Sequence, residues 1–284
     1  MTNFIFLLKA VIMGIVEGVT EFLPISSTGH LIIVGHFIGF HDLSGSSDWF
    51  VKLFEVVIQL GAILAIVVLY WDKIEKSLKN LKPRQWGFKL WFNIVLACIP
   101  TGIFGFLLKN KIDDYLFKAL PVAVAMVAGG ILLIAIENKY RNRNSINDMN
   151  NVNGRKSVLI GLFQCLSLWP GMSRSASTIM GGWIAGLSNE AAAEFSFFLA
   201  IPTMIGVSGV DLIKNRHQIA YLNPIYVIAL GLGFIVSFIV ALLVVEKFIN
   251  FLKKKPMRVF GVYRILVGTI LLILAFAKVI VITN

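Results

Sequence analysis

Long apolar runs separated by short polar and charged segments alternate along almost the whole chain. Six of these runs are continuous and long enough to cross a bilayer as helices, which requires roughly 20 mostly apolar residues. They cover residues 50–71, 91–108, 119–137, 195–213, 224–246 and 260–282. The pattern therefore predicts an all-α integral membrane protein with six transmembrane helices.

Two further apolar stretches, 4–40 and 157–187, are interrupted by polar residues, glycine and proline at residues 24–30 and 169–175. We expect each half of such a stretch to be too short to cross the bilayer. Each interruption also leaves backbone N–H and C=O groups without helical partners. Such backbone is tolerated at membrane depth only where it lines a polar cavity or packs against protein. The two stretches are therefore predicted to be re-entrant helix pairs.

The two interrupted stretches resemble each other, because Gly14–Glu17 matches Gly161–Gln164 and each segment continues to a proline. Each half of the chain then holds one re-entrant pair and three crossings. Since three is odd, the second copy must enter from the opposite side. This inverted-topology repeat places a site near the bilayer midplane, where the repeats meet. The predicted organisation is a single membrane domain over 1–284, with repeat one at 1–143, a flexible linker at 144–153 and repeat two at 154–284.

The composition agrees with lipid as the solvent for much of the surface. Of the 284 residues, 57% are hydrophobic and 14% are charged, whereas a soluble domain is about half apolar and a quarter charged. The net charge of +11 would indicate nucleic acid in a soluble protein, but here an anionic lipid surface or substrate is the expected partner. Cys98 and Cys165 lie in apolar runs and predict neither a disulfide nor a metal site.

The distribution of basic residues predicts the orientation of the chain. Lysine and arginine are concentrated in segments 72–90, 138–156 and 247–259. With six crossings, all three segments fall on one side of the membrane. Cytoplasmic loops of membrane proteins carry such an excess of positive charge. We therefore predict that these segments are cytoplasmic and that both termini are outside.

Two carboxylates fall inside the first interrupted stretch. Glu17 and Glu21 are four residues apart and lie on one face of a helix. Ionisable residues in apolar spans are costly and usually face a polar interior. A divalent cation, Mg²⁺ or Ca²⁺, held by both carboxylates and by phosphate oxygens would relieve their repulsion. The alternative is a pair of glutamates at a helix end that reach toward water.

Hydroxyl groups and a histidine follow the two carboxylates. Ser26 and Ser27 are suited to cap the returning half-helix, which accounts for them without any catalytic role. His30 is the histidine nearest to the carboxylates in sequence and is a candidate general acid or base. A structural role near the helix start is the alternative for His30.

The second interruption combines several groups that favour phosphate binding. A new helix begins there, and its free N–H groups form an anion site. An arginine adds a planar fork that suits phosphate oxygens. An ion pair between this arginine and one of the two glutamates is the alternative explanation. The candidate phosphate-binding residues are Ser26 from the first interruption and Gly171, Ser173, Arg174, Ser175 and Thr178 from the second.

Other charged and polar residues carry weaker expectations. One group lies at the start of spans or within them and could hold the residues of the site in place without contacting substrate: Glu55, Gln59, Glu194 and Asp211. A second group lies near the predicted cytoplasmic ends of spans and is expected to anchor helices at the interface: Glu137, Glu246 and Arg264.

Two motifs resemble those of the BacA/UppP family of undecaprenyl-diphosphate phosphatases, and the likeness extends over essentially the whole chain. The motifs are Glu17-Gly18-Val19-Thr20-Glu21-Phe22-Leu23-Pro24-Ile25-Ser26-Ser27-Thr28-Gly29-His30 and Pro170-Gly171-Met172-Ser173-Arg174-Ser175-Ala176-Ser177-Thr178. The resemblance implies hydrolysis of the C55 polyprenyl diphosphate to its monophosphate, which recycles the lipid carrier of peptidoglycan synthesis. It also implies dependence on a divalent cation, bacitracin resistance, a bacterial cytoplasmic membrane location and a site that opens outward.

A mechanism follows as a hypothesis. Glu17 and Glu21 hold the cation, or one of them acts as a base, while Arg174 and its neighbours bind phosphate. The attacking group is either Ser27 or a water activated by Glu21 or His30. Ser27 is favoured because it lies close to both a carboxylate and the imidazole. The rival function is a polyprenyl-phosphate transporter (a flippase), since inverted repeats with broken helices are typical of transporters. A homodimer is left open.

Overall fold

The fold is seen in a computed structural model that describes residues 2–40, 49–140, 146–252 and 255–280. These residues are almost entirely helical, and the described part of the chain contains one isolated β-bridge, between Ile146 and Leu187. The helices are α1 (Thr2–Thr20), α2 (Ser27–Ile38), α3 (Trp49–Leu69), α4 (Trp71–Lys79), α5 (Trp86–Tyr115), α6 (Ala119–Tyr140), α7 (Gly154–Gln164), α8 (Arg174–Ile184), α9 (Asn189–Lys214), α10 (Arg216–Ala220), α11 (Pro224–Leu252) and α12 (Arg258–Phe276).

Seven of these helices are long and apolar enough to cross a membrane. Six of them, α3, α5, α6, α9, α11 and α12, correspond to the six predicted spans, although the spans 50–71 and 260–282 extend past the ends of α3 and α12. The seventh is α1, in which Asn3–Thr20 forms an apolar run of 18 residues. The expectation that each half of an interrupted stretch is too short to cross holds for α2, with 12 residues, and for α7 and α8, with 11 residues each. By length and composition it is wrong for α1. The re-entrant arrangement of the two stretches stays a prediction.

The outward faces of the long helices are apolar. On α5, for example, Phe106 is 85% exposed and Leu107 is 68% exposed. Exposed apolar patches of this extent are unusual on soluble monomers. Lipid is the solvent that suits them, so the chain is a multi-pass membrane protein.

Helices of one half of the chain pack mainly against helices of the other half. Helix α1 packs on α11, α7 packs on α5, α3 packs on α9, and α6 packs on α12. Glycines allow the close approach: a Cβ on Gly14 would lie 2.7 Å from the carbonyl oxygen of Gly233 in α11, and a Cβ on Gly161 would collide with the backbone of Ala97 in α5. This packing of the helices of one half on the helices of the other half supports the predicted inverted repeat. The repeat and its boundaries stay a prediction.

The described part of the predicted linker contacts helices on both sides of it, and its flexibility stays a prediction. The Ile146 N–H donates to the Gly186 carbonyl, and the Ile146 carbonyl accepts from the Ser188 N–H. Met149 is buried, and Asn93 Nδ2 donates to the Val152 carbonyl. The rest of the linker, residues 144–145, lies outside the described residues, as do Arg141, Arg143, Lys253 and Lys254 of the basic segments and the end of the last predicted span.

Candidate active site

The two interruptions form two loops that end in the same way. Loop one is residues 21–26 and loop two is residues 169–173. Each loop ends in a serine whose Oγ accepts a hydrogen bond of 3.3 Å from a backbone N–H of the following helix, Ser26 from Gly29 and Ser173 from Ala176. The predicted capping role of Ser26 is confirmed.

Both capping serines have a backbone conformation that L-residues rarely adopt. The φ angle is +75° at Ser26 and +66° at Ser173. A non-glycine residue in this region costs roughly 1–3 kcal/mol and persists only where the surroundings hold it, often at functional sites. Gly171 in loop two has φ +100°, and a Cβ there would also collide with the Val122 carbonyl oxygen. Glycine is thus required for the turn.

Side chains join loop one to the helix that follows loop two. Arg174 Nη2 donates to Glu21 Oε1 at 3.0 Å in a buried ion pair. Ser175 Oγ donates to the Leu23 carbonyl at 3.0 Å. The segments around Glu21 and Arg174, which lie 153 residues apart in sequence, therefore meet in one place. The ion pair offered as an alternative explanation for the arginine is present as well.

Arg174 is held by more than its carboxylate. Its Nη1 donates to the carbonyl oxygen of Ser196 in α9 at 3.1 Å and lies 3.3 Å from the Ser196 hydroxyl. Its guanidinium also lies over the ring of Phe22, 5.6 Å from the centroid. Its Nε is buried without a hydrogen-bond partner among the described residues. The Nε–H of a buried guanidinium is therefore without an acceptor in the described part of the chain.

Thr178 stabilises this arrangement from inside α8. Its Oγ1 lies 2.7 Å from Ser196 Oγ and 2.9 Å from the Arg174 carbonyl. Thr178 and Ser175 are buried, whereas Ser173 and Ser27 are half-buried. Direct contact of Thr178 with phosphate stays a prediction.

The carboxylates form the acidic side of the site. Ser27 Oγ donates to Glu21 Oε2 at 2.9 Å, so Glu21 binds the arginine with one oxygen and the serine with the other. Glu17 is 1% exposed, and both of its carboxylate oxygens lack a hydrogen-bond partner among the described residues. Glu55 of α3 lies close enough to act on Glu17 electrostatically. Glu17 therefore lies near two further carboxylates and one guanidinium, and a further proton or cation would balance the acidic charge.

A divalent cation fits this set of donors. The described residues hold no cluster of three or more His, Cys, Asp or Glu side chains arranged for a metal ion. Glu17 and Glu21 would then be the protein ligands, with phosphate oxygens and water supplying the rest, as is usual for Mg²⁺. The two unpartnered oxygens of Glu17 are the observation that fits a cation best.

His30 contacts loop one and α12 rather than the glutamates. Its Nδ1 lies 2.7 Å from the Ser26 carbonyl oxygen, and its Nε2 lies 2.8 Å from the Tyr263 hydroxyl. A carbonyl oxygen only accepts, so Nδ1 carries a proton. In the neutral ring, Nε2 then accepts from Tyr263. The His30 and Tyr263 rings are stacked, with centroids 5.5 Å apart.

The expected anchoring role of Arg264 and Glu137 is wrong. Arg264 is fully buried, and its Nη2 donates to the carbonyl oxygens of Gly171 at 3.0 Å and Met172 at 2.9 Å. Glu137 is also buried and accepts from two backbone N–H groups at the N-terminus of α12. Both residues lie near a span end in the sequence, which suggested a location at the membrane interface. In the structure both side chains are buried and point into the protein.

Sequence reasoning also missed Ser196 and Tyr263. Nothing in the sequence marks Ser196, whereas an arginine in the apolar run around Tyr263 and Arg264 was a usable signal. Two of the weaker candidates have partners elsewhere: Glu194 pairs with Lys73 of α4 at 2.8 Å, and Asp211 lies 3.6 Å from Lys109. Neither contact involves the two loops.

Comparison with known proteins agrees with this site. A family model described as bacitracin resistance protein BacA matches residues 10–270, which include both loops and α12 as far as Ile270. The chain belongs to the BacA family. The family inferred from the two sequence motifs is thereby confirmed.

Members of the BacA family with similar sequences are named undecaprenyl-diphosphatase. The protein of that name from Clostridium tetani (strain Massachusetts / E88) is 57% identical over 277 residues, which cover 97% of this chain and 99% of that protein. The one from Clostridium perfringens (strain SM101 / Type A) is 50% identical over 305 residues, covering 98% and 99%. The one from Thermoanaerobacter pseudethanolicus (strain ATCC 33223 / 39E) is 53% identical over 274 residues, covering 96% and 98%.

Proposed function

We propose that this BacA-family chain hydrolyses undecaprenyl diphosphate to undecaprenyl phosphate and inorganic phosphate in the cytoplasmic membrane of a bacterium. The observation that carries the proposal is the chain of contacts from Ser27 through Glu21 to Arg174, located where two half-helices begin. A hydroxyl, a carboxylate and a guanidinium lie together there, which supports their roles as nucleophile, base and phosphate-binding group. The relatives' names point to the same chemistry and give no support to the transporter alternative.

The diphosphate binds between the two loops. The N-termini of α2 and α8 supply backbone N–H groups and the positive ends of two helix dipoles. Arg174 contributes its unpartnered Nε, and the half-buried Ser173 contributes its hydroxyl. Because Glu21 and Ser196 already hold the guanidinium, little reorganisation is needed when charge develops on the phosphoryl oxygens.

Ser27 is the nucleophile in this proposal. Its Oγ attacks the terminal phosphorus while Glu21 takes the hydroxyl proton, and the bond between that phosphorus and the bridging oxygen breaks. The products of this step are undecaprenyl phosphate, which leaves, and phosphorylated Ser27. Glu21 gives the proton to the former bridging oxygen of the departing undecaprenyl phosphate and is ionised again. Water then attacks the phosphoserine while Glu21 takes its proton, the bond between Ser27 Oγ and phosphorus breaks, Oγ regains a proton from Glu21, and inorganic phosphate is released.

Glu17 and Glu21 would hold a divalent cation, which supplies neutralisation of phosphate charge when bound. Glu17 is suited to this because no side chain or backbone N–H in the described residues competes for its oxygens. Each oxygen of Glu21 has one contact, Oε2 with Ser27 and Oε1 with Arg174, and the remaining lone pairs of the carboxylate would be available to the cation.

An apolar groove beside loop two fits the polyprenyl tail. Its volume is about 330 Å³, at the small end of the roughly 300–1,000 Å³ typical of ligand sites. Its lining includes Phe104 and Leu108 of α5 and Cys165, Leu168, Trp169 and Met172. The Trp169 N–H is already bonded to the Pro121 carbonyl, so the groove offers an apolar surface. Met172 of the groove lining is the neighbour of Ser173 in the chain, and in this proposal the groove accommodates the first isoprene units.

Phosphate release from undecaprenyl diphosphate by the purified chain in detergent tests the function. We expect turnover by the wild type and a loss of about a hundredfold or more in Arg174→Ala, since a preorganised contact to the developing charge is removed. Arg216→Ala, at an exposed arginine of α10, is the matched control and retains activity. A wild-type protein that binds the lipid and releases no phosphate would support a carrier and overturn the proposal.

The orientation is part of the proposal: the basic segments lie in the cytoplasm, both termini lie outside, and the site opens outward. Labelling of single cysteines in a variant without Cys98 and Cys165 tests the two sides. Tyr221→Cys, at an exposed residue between α10 and α11, should react with an impermeant reagent added outside intact cells. Arg84→Cys, in a basic segment, should react only after permeabilisation. The reverse pattern would invert the assignment.

A further inference from the structure

Two consecutive residues of α12 hold the two loops. Tyr263 contacts His30, whose Nδ1 in turn binds the Ser26 carbonyl of loop one. Arg264 binds the Gly171 and Met172 carbonyls of loop two directly. One turn of one helix is therefore connected to both places where the helices of the site are interrupted.

These contacts fall on the strained parts of the loops. The Ser26 carbonyl belongs to the residue with φ +75°, and the two carbonyls bound by Arg264 immediately precede Ser173, with φ +66°. A backbone in this region is maintained by contacts from the surroundings. His30 and Arg264 supply such contacts, since His30 donates to the Ser26 carbonyl and Arg264 donates to the two carbonyls that precede Ser173.

Helix α12 is itself fixed against α6. Glu137 of α6 accepts from the Met257 and Arg258 N–H groups where α12 begins. Gly129 of α6 leaves the space that the Arg264 guanidinium occupies, because a Cβ at Gly129 would collide with it. The Arg264 contacts to loop two are therefore made from a rigid base.

The burial of Arg264 also adds positive charge beneath loop two. Its Nε and Nη1 have no hydrogen-bond partner among the described residues, and carbonyl oxygens are the acceptors that Nη2 binds. A buried cation without a paired carboxylate is unfavourable by itself. The buried cation becomes favourable when an anion binds close to it. In the proposed function, the diphosphate bound at loop two is that anion.

We propose that Tyr263 and Arg264 are positioning residues that set the spacing of loop one and loop two, and with it the placement of Ser27 relative to Arg174. Tyr263 acts through His30, and Arg264 acts through the loop-two backbone and its charge. The inference rests on the proposed function, because its readout is hydrolysis of the lipid diphosphate. It concerns residues that do not themselves contact the reacting atoms.

A double-mutant cycle tests the path through His30. Tyr263→Phe removes only the hydroxyl and is expected to lower kcat about tenfold, the effect of one hydrogen bond, with KM unchanged. In a His30→Ala background, Tyr263→Phe should change kcat by less than about twofold, because coupled residues are not additive. Tyr221→Phe, at an exposed tyrosine, is the control. Equal losses in both backgrounds would overturn the path through His30.

Arg264 is tested with two substitutions and a rescue. Arg264→Ala is expected to lower kcat about a hundredfold, and guanidinium added to the assay should restore at least about tenfold of that loss. Arg264→Lys, which keeps the charge without the fork, should fall in between. The same assay with Arg216→Ala controls for effects of guanidinium on the detergent. Folding of each variant is checked by thermal unfolding in detergent.

The outcomes separate the two proposals. An inactive wild type sinks the proposed function and leaves no reaction to position. An active wild type with normal kcat in Arg264→Lys and in Tyr263→Phe overturns the positioning role alone. Loss of activity in a folded Arg264→Ala without any rescue, together with normal kinetics of Tyr263→Phe, also contradicts it.

Discussion

The hydroxyl of Ser27 donates a 2.9 Å hydrogen bond to Oε2 of Glu21. The other oxygen of that carboxylate is bound to Arg174, so one group contacts both the proposed nucleophile and the guanidinium proposed to bind phosphate. A shift of Glu21 would change both contacts.

Ser27→Ala is expected to lower kcat by about a thousandfold or more, because removing a nucleophile removes the covalent step. Phosphate release is the measurement, together with trapping of a labelled phosphoprotein by acid quench. Ser26→Gly is the companion variant, since Ser26 caps a helix without contacting Glu21. Near-normal turnover in Ser27→Ala would assign the attack to water instead.

Glu17→Gln should raise the concentration of divalent cation needed for half-maximal activity by about tenfold or more, because one of two carboxylate ligands is lost. Titration of Mg²⁺ and Ca²⁺ into chelator-treated protein measures it. Glu246→Gln, at an exposed glutamate of α11, is the control. An unchanged metal titration would show that Glu17 is not a ligand and would favour a shared proton between the carboxylates.

The strained serines predict an unusual order of stability. At Ser26, glycine tolerates φ +75° and loses only the cap, which costs a few tenths of a kcal/mol. Alanine loses the cap and keeps the strain, so Ser26→Ala should be less stable than Ser26→Gly by about 1 kcal/mol. Thermal unfolding in detergent compares the two. The same order is expected at Ser173, and the opposite order at either position would contradict the backbone geometry.

Occupation of the groove by the lipid tail predicts protection of a native thiol. In a Cys98→Ala variant, Cys165 is the remaining cysteine, and it lines the groove. An apolar maleimide should modify it, and saturating undecaprenyl phosphate should slow the reaction by about tenfold. Inorganic phosphate is the control and should give no protection. Equal protection by both would place the effect at the loops rather than in the groove.

Much of the fold could be predicted because apolar run length is a direct measure of membrane crossing. The six long runs became α3, α5, α6, α9, α11 and α12. Helix α1 was the error: Glu17 and Glu21 near its end made the run look broken, although the apolar residues before them form a continuous helix. Helix α4 was not predicted, since it lies in a basic segment where charge dominates the pattern.

The candidate site was predictable to the extent that its chemistry is concentrated in two motifs. Their polar groups had few explanations in an apolar environment, so Glu21 and Arg174 could be placed together. The direction in which each side chain points was not predictable. His30 is four residues from Ser26 and binds its carbonyl. Arg264 reaches loop two from another helix. Both contacts depend on side-chain orientation, which cannot be read from the order of residues.

The separation of Glu21 from Arg174 by 153 residues has a consequence for how the protein is made. The acidic loop enters the bilayer during synthesis well before its arginine exists. Until α8 is inserted, Glu17 and Glu21 have no cation from the second half, and burying them is costly. The nascent chain is thus driven to keep its first loop hydrated, near the membrane surface, and the final inward docking of that loop waits for the second half to arrive.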